Sequence, residues 1–147
     1  MKSRMSIKEA EPRIYQAMAV ADKQIKDFDI NPKLKELIKV RVSQINGCGY
    51  CIDYHTHDSL ALGETNQRLF TLSAWWETPF FTEEEQAALK LAEEVTRISD
   101  HGVSEETYRN VLKLFGEQGL AQIIFITITI NSWNRIAIPI HMVAGVD

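Results

Sequence analysis

Residues 120–140 form a long apolar segment, and its secondary structure decides the fold class. Within it, residues 126–130 read Ile-Thr-Ile-Thr-Ile, an alternation of β-branched residues that is typical of a strand. No other segment has a strand pattern, and a lone strand lacks a partner for its backbone hydrogen bonds. The nearly continuous apolar character, with Pro139 near the end, fits a helix buried on most sides. We therefore predict a helix here and an all-α fold.

The rest of the chain shows apolar residues at helical spacing, interrupted by capping and turn residues. Candidate caps and breaks lie at Pro12, Asn31, Gly47, Gly63, Thr65, Thr82 and Ser104. They divide the chain into a bundle of about six to seven helices, with both cysteines at the start of the third helix. A length of 147 residues suits one domain, which we place at residues 1–147.

The charge and hydropathy of the chain argue against two classes of partner. The net charge is −4 with no long basic run, so we expect no nucleic-acid binding. Residues 1–6 lack the apolar run of a signal peptide. The best candidate for a membrane span, residues 120–130, is too short and is followed by Asn131, Asn134 and Arg135. We predict a cytoplasmic protein without a membrane partner.

The two cysteines and a histidine form the pattern C-x-x-C-x-x-x-H at Cys48, Cys51 and His55. If a helix begins near Gly47, the three side chains follow one helical face at steps of three and four. The positive end of the helix favours thiolate, and an imidazole one turn further on can accept or return a proton. The pattern favours a redox dithiol with its own base. A zinc ligand pair and two packed thiols stay open, although structural zinc usually takes four protein ligands and the chain has one C-x-x-C.

Glu36 is a candidate partner of His55. It lies ten residues before Asn46, and His55 lies eight or nine residues after the Asn46-Gly47 break. In an antiparallel helical hairpin the two residues are then level to within about one turn. A carboxylate beside the imidazole fixes its tautomer and favours its protonated form. On spacing alone, a solvated helix acid is the more common situation.

Several other residues have two interpretations. Five aromatic side chains could line a substrate entrance, but core or interface anchors are more common: Trp75, Trp76, Phe80, Phe81 and Trp133. Asn131, Asn134 and Arg135 lie in the apolar segment, so we expect them to be hydrogen-bonded. We expect His57 to be exposed, His101 to lie in a loop, and His141 to lie at the surface.

Residues 37–55, with the cysteine motif at their end, resemble the core of the AhpD-like alkylhydroperoxidase family, which is grouped with the carboxymuconolactone decarboxylases. The likeness continues through residues 63–65, 76–82 and 130–136 and so covers nearly the whole chain. The resemblance implies an all-helical fold, assembly as trimers or hexamers, and reduction of hydroperoxides by the C-x-x-C pair with an intramolecular disulfide. The presence of the cysteine pair argues against lactone decarboxylation, which does not depend on it.

The resemblance also implies roles for four residues. Cys51 matches the cysteine that becomes a sulfenic acid, Cys48 matches its resolving partner, and Glu36 and His55 match the proton relay. The best-described alkylhydroperoxidases carry a histidine just before the second cysteine, where this chain has Tyr50. We predict a thiol-dependent hydroperoxide reductase that needs an external dithiol and no metal or organic cofactor. The alternatives are a thiol–disulfide exchange partner of a peroxiredoxin, and a non-enzymatic redox sensor or oligomeric module.

Overall fold

A computed structural model describes residues 1–145, and these residues form an all-helical bundle without strands, as predicted. It contains eight α-helices and a 3-10 helix at Leu72–Glu77 between α5 and α6. The α-helices are α1 Ile7–Ala10, α2 Pro12–Lys26, α3 Pro32–Asn46, α4 Gly49–Ala61, α5 Asn66–Thr71, α6 Glu83–Thr96, α7 Ile98–His101 and α8 Glu105–Ile140. Val146 and Asp147, the end of the predicted domain, lie outside the described residues.

The boundaries of the longer helices follow the predicted caps, whereas the four-residue helices α1 and α7 and the 3-10 helix were not predicted. Thr82 and Glu85 form a reciprocal capping box at the start of α6, and the side chain of Asn31 accepts from the backbone N–H of Lys33 at the start of α3. The four-residue α1, capped by Ser6, was not predicted because it is too short to show an apolar stripe. The cysteine pair therefore opens the fourth helix in chain order, which is the third of the long ones.

The apolar segment after residue 120 is helical despite its strand-like alternation. The hydroxyl groups of Thr127 and Thr129 donate to the carbonyls four residues earlier, both at 2.8 Å, so the helix itself satisfies them. A kink at Gly116, with φ of 70°, divides α8 into two helical parts. By length and composition alone, α8 is long and apolar enough to cross a membrane. This corrects our prediction that no segment of the chain is long and apolar enough to do so. The core helix of a soluble protein meets the same criterion, and α8 packs against α2, α3, α4 and α6.

Two apolar clusters form the core, and α3 contributes to both. The larger cluster joins α2, α3, α4, α6 and α8 and includes both cysteines. The smaller cluster lies on the other side of α3, where Leu37 and Val40 pack against Leu72, Trp75 and residues of α5 and α6. Because α3 is covered on both sides, the polar residues along it are also buried and need partners.

Buried polar contacts join α3 to its neighbours. Asn134 of α8 donates to Oγ of Ser43 at 3.0 Å and accepts from Nδ2 of Asn46 at 2.8 Å. The same Asn46 amide donates to Asn131 at 2.9 Å, which confirms the prediction that the α8 asparagines are hydrogen-bonded. Arg135, also predicted to be bonded, donates to Oδ1 of Asn131 at 2.6 Å.

Two charged residues of α3 fix the adjacent helices. Arg41 donates to Glu93 of α6 at 2.7 Å, and the same carboxylate oxygen accepts from the indole N–H of Trp75 at 2.9 Å. Lys35 donates from Nζ to the carbonyl oxygens of Ile25 at 2.8 Å and Lys26 at 3.1 Å. Those carbonyls belong to the last turn of α2, and the negative end of a helix attracts a cation.

Candidate functional site

The turn between α3 and α4 places the cysteines. Gly47 adopts a left-handed conformation with φ of 72°, which ends α3 without the steric cost that a Cβ atom would add. The backbone N–H of Cys48 then donates to the carbonyl of Ser43 at 3.0 Å. Cys48 is the N-cap of α4, and its sulfur accepts from the backbone N–H of Cys51 at 3.3 Å. The second cysteine therefore lies in the first turn of α4, as predicted.

Cys48 and Cys51 form a disulfide, with their Cα atoms 5.4 Å apart. Both residues are buried, with 1% and 3% of their surface exposed. A C-x-x-C pair that closes across one helical turn can open and close with little backbone movement. The pairing fits a redox dithiol, which was the favoured interpretation of the motif.

Glu36, Lys39 and His55 form a chain of charged contacts beside the disulfide. Nδ1 of His55 lies 2.8 Å from Oε2 of Glu36, and Nζ of Lys39 lies 2.6 Å from Oε1. Glu36 is 8% exposed, so the alternative of a solvated helix acid is wrong. Burial acts to raise the pKa of Glu36, but the hydrogen bond from His55 and the charge of Lys39 outweigh it and lower the pKa below its ordinary value. Glu36 is a carboxylate at neutral pH, so Nδ1 of His55 carries the hydrogen and Nε2 is free to accept a proton.

A cavity of about 220 Å³ adjoins Cys51 and His55. Ile25 of α2 and Ile126, Ile130 and Ala137 of α8 supply apolar surface, and Met142 follows α8. Four aromatic side chains also line it: Tyr15, Tyr50, Tyr54 and Trp133. Such a volume, largely apolar with a few polar groups, suits a small organic molecule next to the Cys51 sulfur.

Asp22 of α2 also lines this cavity, and our sequence analysis missed it. The indole N–H of Trp133 donates to its carboxylate, at 3.0 Å from Oδ2 and 3.3 Å from Oδ1. Burial raises the pKa of Asp22, while the Trp133 hydrogen bond and the charges of Lys39 and His55 partly offset that effect. In sequence Asp22 stands beside Lys23 and resembles any solvated helix acid, so no local pattern marks it.

Residues 12–94, more than half of the chain, match the carboxymuconolactone decarboxylase family. The chain belongs to this family. The match begins at α2 and ends within α6, so it includes the cysteine motif, Glu36 and Asp22.

Known proteins resemble this chain in sequence or in fold. The uncharacterized protein YdfG of Bacillus subtilis is 44% identical over 138 residues and covers 94% of both chains. The crystal structure of ATU0492 from Agrobacterium tumefaciens superposes with a TM-score of 0.95 at 29% identity, covering 99% of this chain and 100% of its own. ATU0492 is a protein of unknown function that has been proposed to be the antioxidant defence protein AhpD. A peroxidase-related protein from Ralstonia eutropha, with a TM-score of 0.83, 20% identity and 94% and 74% coverage, shares the fold.

The aromatic residues of this family member divide between core, surface and cavity. Trp75 and Phe81 are buried in the smaller core cluster, as the anchor interpretation predicted. Trp76 and Phe80 are 53% and 42% exposed. Trp133 packs against the larger core cluster, the role we favoured, and it also lines the cavity beside Cys51. It does so because its indole N–H reaches Asp22 across the contact of α2 with α8.

The remaining histidines lie away from the disulfide. His57 is exposed, as predicted. His101 ends the short α7, where we expected a loop, and it too is exposed. His141 is partly buried and closes α8 in a left-handed conformation with φ of 53°.

One group of side chains in this family member could hold a cation. Ligand atoms of Glu36, His55 and Asp58 lie within 4.8 Å of one another. Nζ of Lys39 is already bonded to Glu36, however, so a metal ion would have to displace the ammonium group. Three ligands with a competing cation fall short of the four that structural zinc takes, and we assign no metal.

Proposed function

We propose that this protein is a thiol-dependent hydroperoxide reductase in which Cys51 is the reacting thiol. The observation that carries the proposal is that Cys51 and His55 line one cavity, while Cys48 is within bonding distance behind them. The family of AhpD-like proteins and the C-x-x-C pair support a redox role. The peroxide chemistry is our inference from the arrangement of these groups.

In the reduced protein, Nε2 of His55 accepts the proton of Cys51, and Glu36 stabilises the imidazolium through its bond to Nδ1. The thiolate attacks the outer oxygen of the hydroperoxide, and the O–O bond breaks. The inner oxygen leaves as an alcohol after it takes the proton from His55. Cys51 is then a sulfenic acid.

Cys48 completes the cycle as the resolving cysteine. Its thiol condenses with the sulfenic acid, so that the S–S bond forms, the S–O bond breaks and water leaves. An external dithiol restores both thiols by exchange and leaves as a disulfide. The net reaction consumes one hydroperoxide and one dithiol and produces an alcohol, water and the oxidised dithiol. We further propose that the protein works in the cytoplasm as a homo-oligomer.

Tyr50 favours a second candidate function. It lines the cavity at the position where alkylhydroperoxidases carry a histidine, so one imidazole of their relay is absent. A dithiol with slow peroxide chemistry can still exchange electrons with the disulfide of another protein, such as a peroxiredoxin. This role uses the same two cysteines and predicts rapid exchange with little peroxide turnover.

Three proteins test the proposal: wild type, Cys48→Ser and Cys51→Ser, each assayed for hydroperoxide consumption with dithiothreitol. We expect the wild type to turn over and to lose two hydrogen atoms by mass when oxidised. Cys48→Ser should retain a sulfenic acid at Cys51 that dimedone traps, and Cys51→Ser should be inactive. Equal turnover by all three proteins would contradict the assignment. No turnover by wild type, together with fast reduction of a peroxiredoxin disulfide, would favour the exchange role.

A further inference from the structure

The charged groups around the cavity are unevenly balanced. Asp22 lines it directly, and the carboxylate of Glu36 lies behind His55 with that of Asp58 close by. Lys39, the cavity's one ammonium among the described residues, is already bonded to Glu36. Because Lys39 and Glu36 offset each other, the carboxylate of Asp22 is the charge on the cavity wall that lacks a cationic hydrogen-bond partner among the described residues. Lys26, whose charge also reaches Asp22, is exposed to solvent.

Catalysis does not change this balance. When His55 accepts the proton of Cys51, one positive and one negative charge appear together, so the sum around the cavity stays the same. The thiolate itself faces the substrate and adds a local negative charge. Tyr15, Tyr50, Tyr54 and Trp133 add electron-rich rings to the cavity wall, and the ammonium group of Lys8 already lies 5.3 Å from the ring centre of Tyr15.

Asp22 has the most direct effect on a bound molecule. Its only hydrogen-bond donor among the described residues is Trp133, a neutral indole, whereas Glu36 is paired with Lys39 and His55. A carboxylate in a largely apolar cavity is less screened than one at the surface. Its field therefore acts on whatever occupies the space beside Cys51.

We propose that Asp22 is a specificity-determining residue that restricts the cavity to neutral or cationic organic molecules and excludes those that carry a carboxylate. This inference rests on the proposed function. If the protein reduces hydroperoxides, neutral and ammonium-bearing hydroperoxides are substrates, and hydroperoxides of fatty acids are poor substrates. The exclusion is electrostatic, so a molecule of the same shape without its negative charge is accepted.

Three para-substituted cumene hydroperoxides provide the test at pH 8: the neutral carboxamide, the carboxylate of matching shape and the trimethylammonio compound. We expect wild type to prefer the neutral to the anionic compound by about tenfold in kcat/KM, as for like charges in a partly screened site. Asp22→Asn keeps the size of the side chain and an acceptor for Trp133, and it should reduce this preference at least threefold. Asp29→Asn, an equal change of net charge at an exposed position beyond the end of α2, should not change it.

Binding of the three corresponding alcohols, followed by tryptophan fluorescence or calorimetry, separates this inference from the proposed function because the alcohols are not turned over. One possible result is that wild type consumes no hydroperoxide but binds the neutral alcohol about tenfold more tightly than the anionic alcohol, and that Asp22→Asn reduces this difference. In that case the charge inference holds and the peroxidase proposal fails. If wild type binds the neutral and anionic alcohols equally, or Asp22→Asn discriminates as wild type does, the charge inference is wrong. Failure of wild type to bind any of the three alcohols would also overturn it.

Discussion

Nδ1 of His55 lies 2.8 Å from Oε2 of Glu36, although 19 residues separate the two in the chain. The left-handed Gly47 reverses the chain between them and brings α3 and α4 side by side. Glu36 is held from its other oxygen by Lys39. The carboxylate is thus fixed in its charged form, and its effect on stability depends on pH.

Glu36→Gln should lower the free energy of unfolding at pH 7 by about 2 kcal/mol, because charge-assisted hydrogen bonds to His55 and Lys39 are lost. The pKa of Glu36 in the folded protein lies below its ordinary value of 4.5. The wild-type advantage is therefore present above pH 4.5 and declines as the pH falls further toward the folded-state pKa. Urea unfolding at pH 7 and pH 3.5 measures this, with Glu84→Gln, an exposed acid in α6, as control. A difference between wild type and Glu36→Gln that is equal at both pH values would contradict the prediction.

Tyr50→His should raise kcat/KM for cumene hydroperoxide at least about tenfold at pH 7, because it adds a general acid–base group to the cavity beside Cys51. Tyr54→His is the matched control, since Tyr54 stacks on Tyr50 and lines the same cavity but does not adjoin Cys51 in sequence. A gain in both variants, or in neither, would show that position 50 does not limit the reaction.

Asn134→Ala should destabilise the fold by about 2 kcal/mol, because the buried Ser43 hydroxyl loses its Asn134 donor and the Asn46 amide keeps only its bond to Asn131. Asn134 is fully buried, whereas Ser132, two residues earlier in α8, is exposed and bonds only its own helix. Ser132→Ala should stay within about 0.5 kcal/mol of wild type. Thermal or urea unfolding measures the stability of both variants. Equal losses of stability would mean that the hydrogen bonds of Asn134 with Ser43 and Asn46 contribute nothing.

Two ion pairs of nearly equal length should differ in their contribution to stability. Arg41–Glu93 measures 2.7 Å and its side chains are 8% and 10% exposed, while Arg109–Glu105 measures 2.6 Å with 76% and 70% exposed. Glu93→Ala should cost about 3–5 kcal/mol, because it leaves a buried guanidinium uncompensated. Glu105→Ala should cost at most about 0.5 kcal/mol. Comparable losses in denaturant unfolding would show that burial does not govern these pairs.

Local signals in the sequence were sufficient for the helices from α2 to α6, but not for the four-residue helices α1 and α7. The capping box at Thr82 and Glu85 and the break at Gly47 act through neighbouring residues, so they can be recognised without the fold. The contact of Glu36 with His55 was also accessible, because the break sets the register of the helical hairpin. The roles assigned to Cys48, Cys51, His55 and Glu36 stay predictions until the cysteine variants are assayed.

The wall of the cavity formed by α2 and α8 could not be predicted from local sequence patterns. Asp22 and Trp133 are 111 residues apart, and their hydrogen bond depends on how α2 packs against α8. The packing of α2 against α8 depends on all the residues of the core. An acidic residue on a partly apolar helix face has no sequence neighbours that distinguish it from a solvated one. The burial of Glu36 was missed for a similar reason, since the surrounding lysines suggest a solvated face whereas α3 is covered on both sides.

The anchoring of α2 by Lys35 affects what the cavity can admit. The ammonium of Lys35 binds the carbonyls of Ile25 and Lys26, in the same helix whose Asp22 and Ile25 face the disulfide. Lys35 itself does not line the cavity, yet it determines where that helix ends and how closely the helix approaches α3. Substitution of Lys35 would remove this cation and free one wall of the cavity to shift, so substrate preference would change without any alteration in the residues that line the cavity.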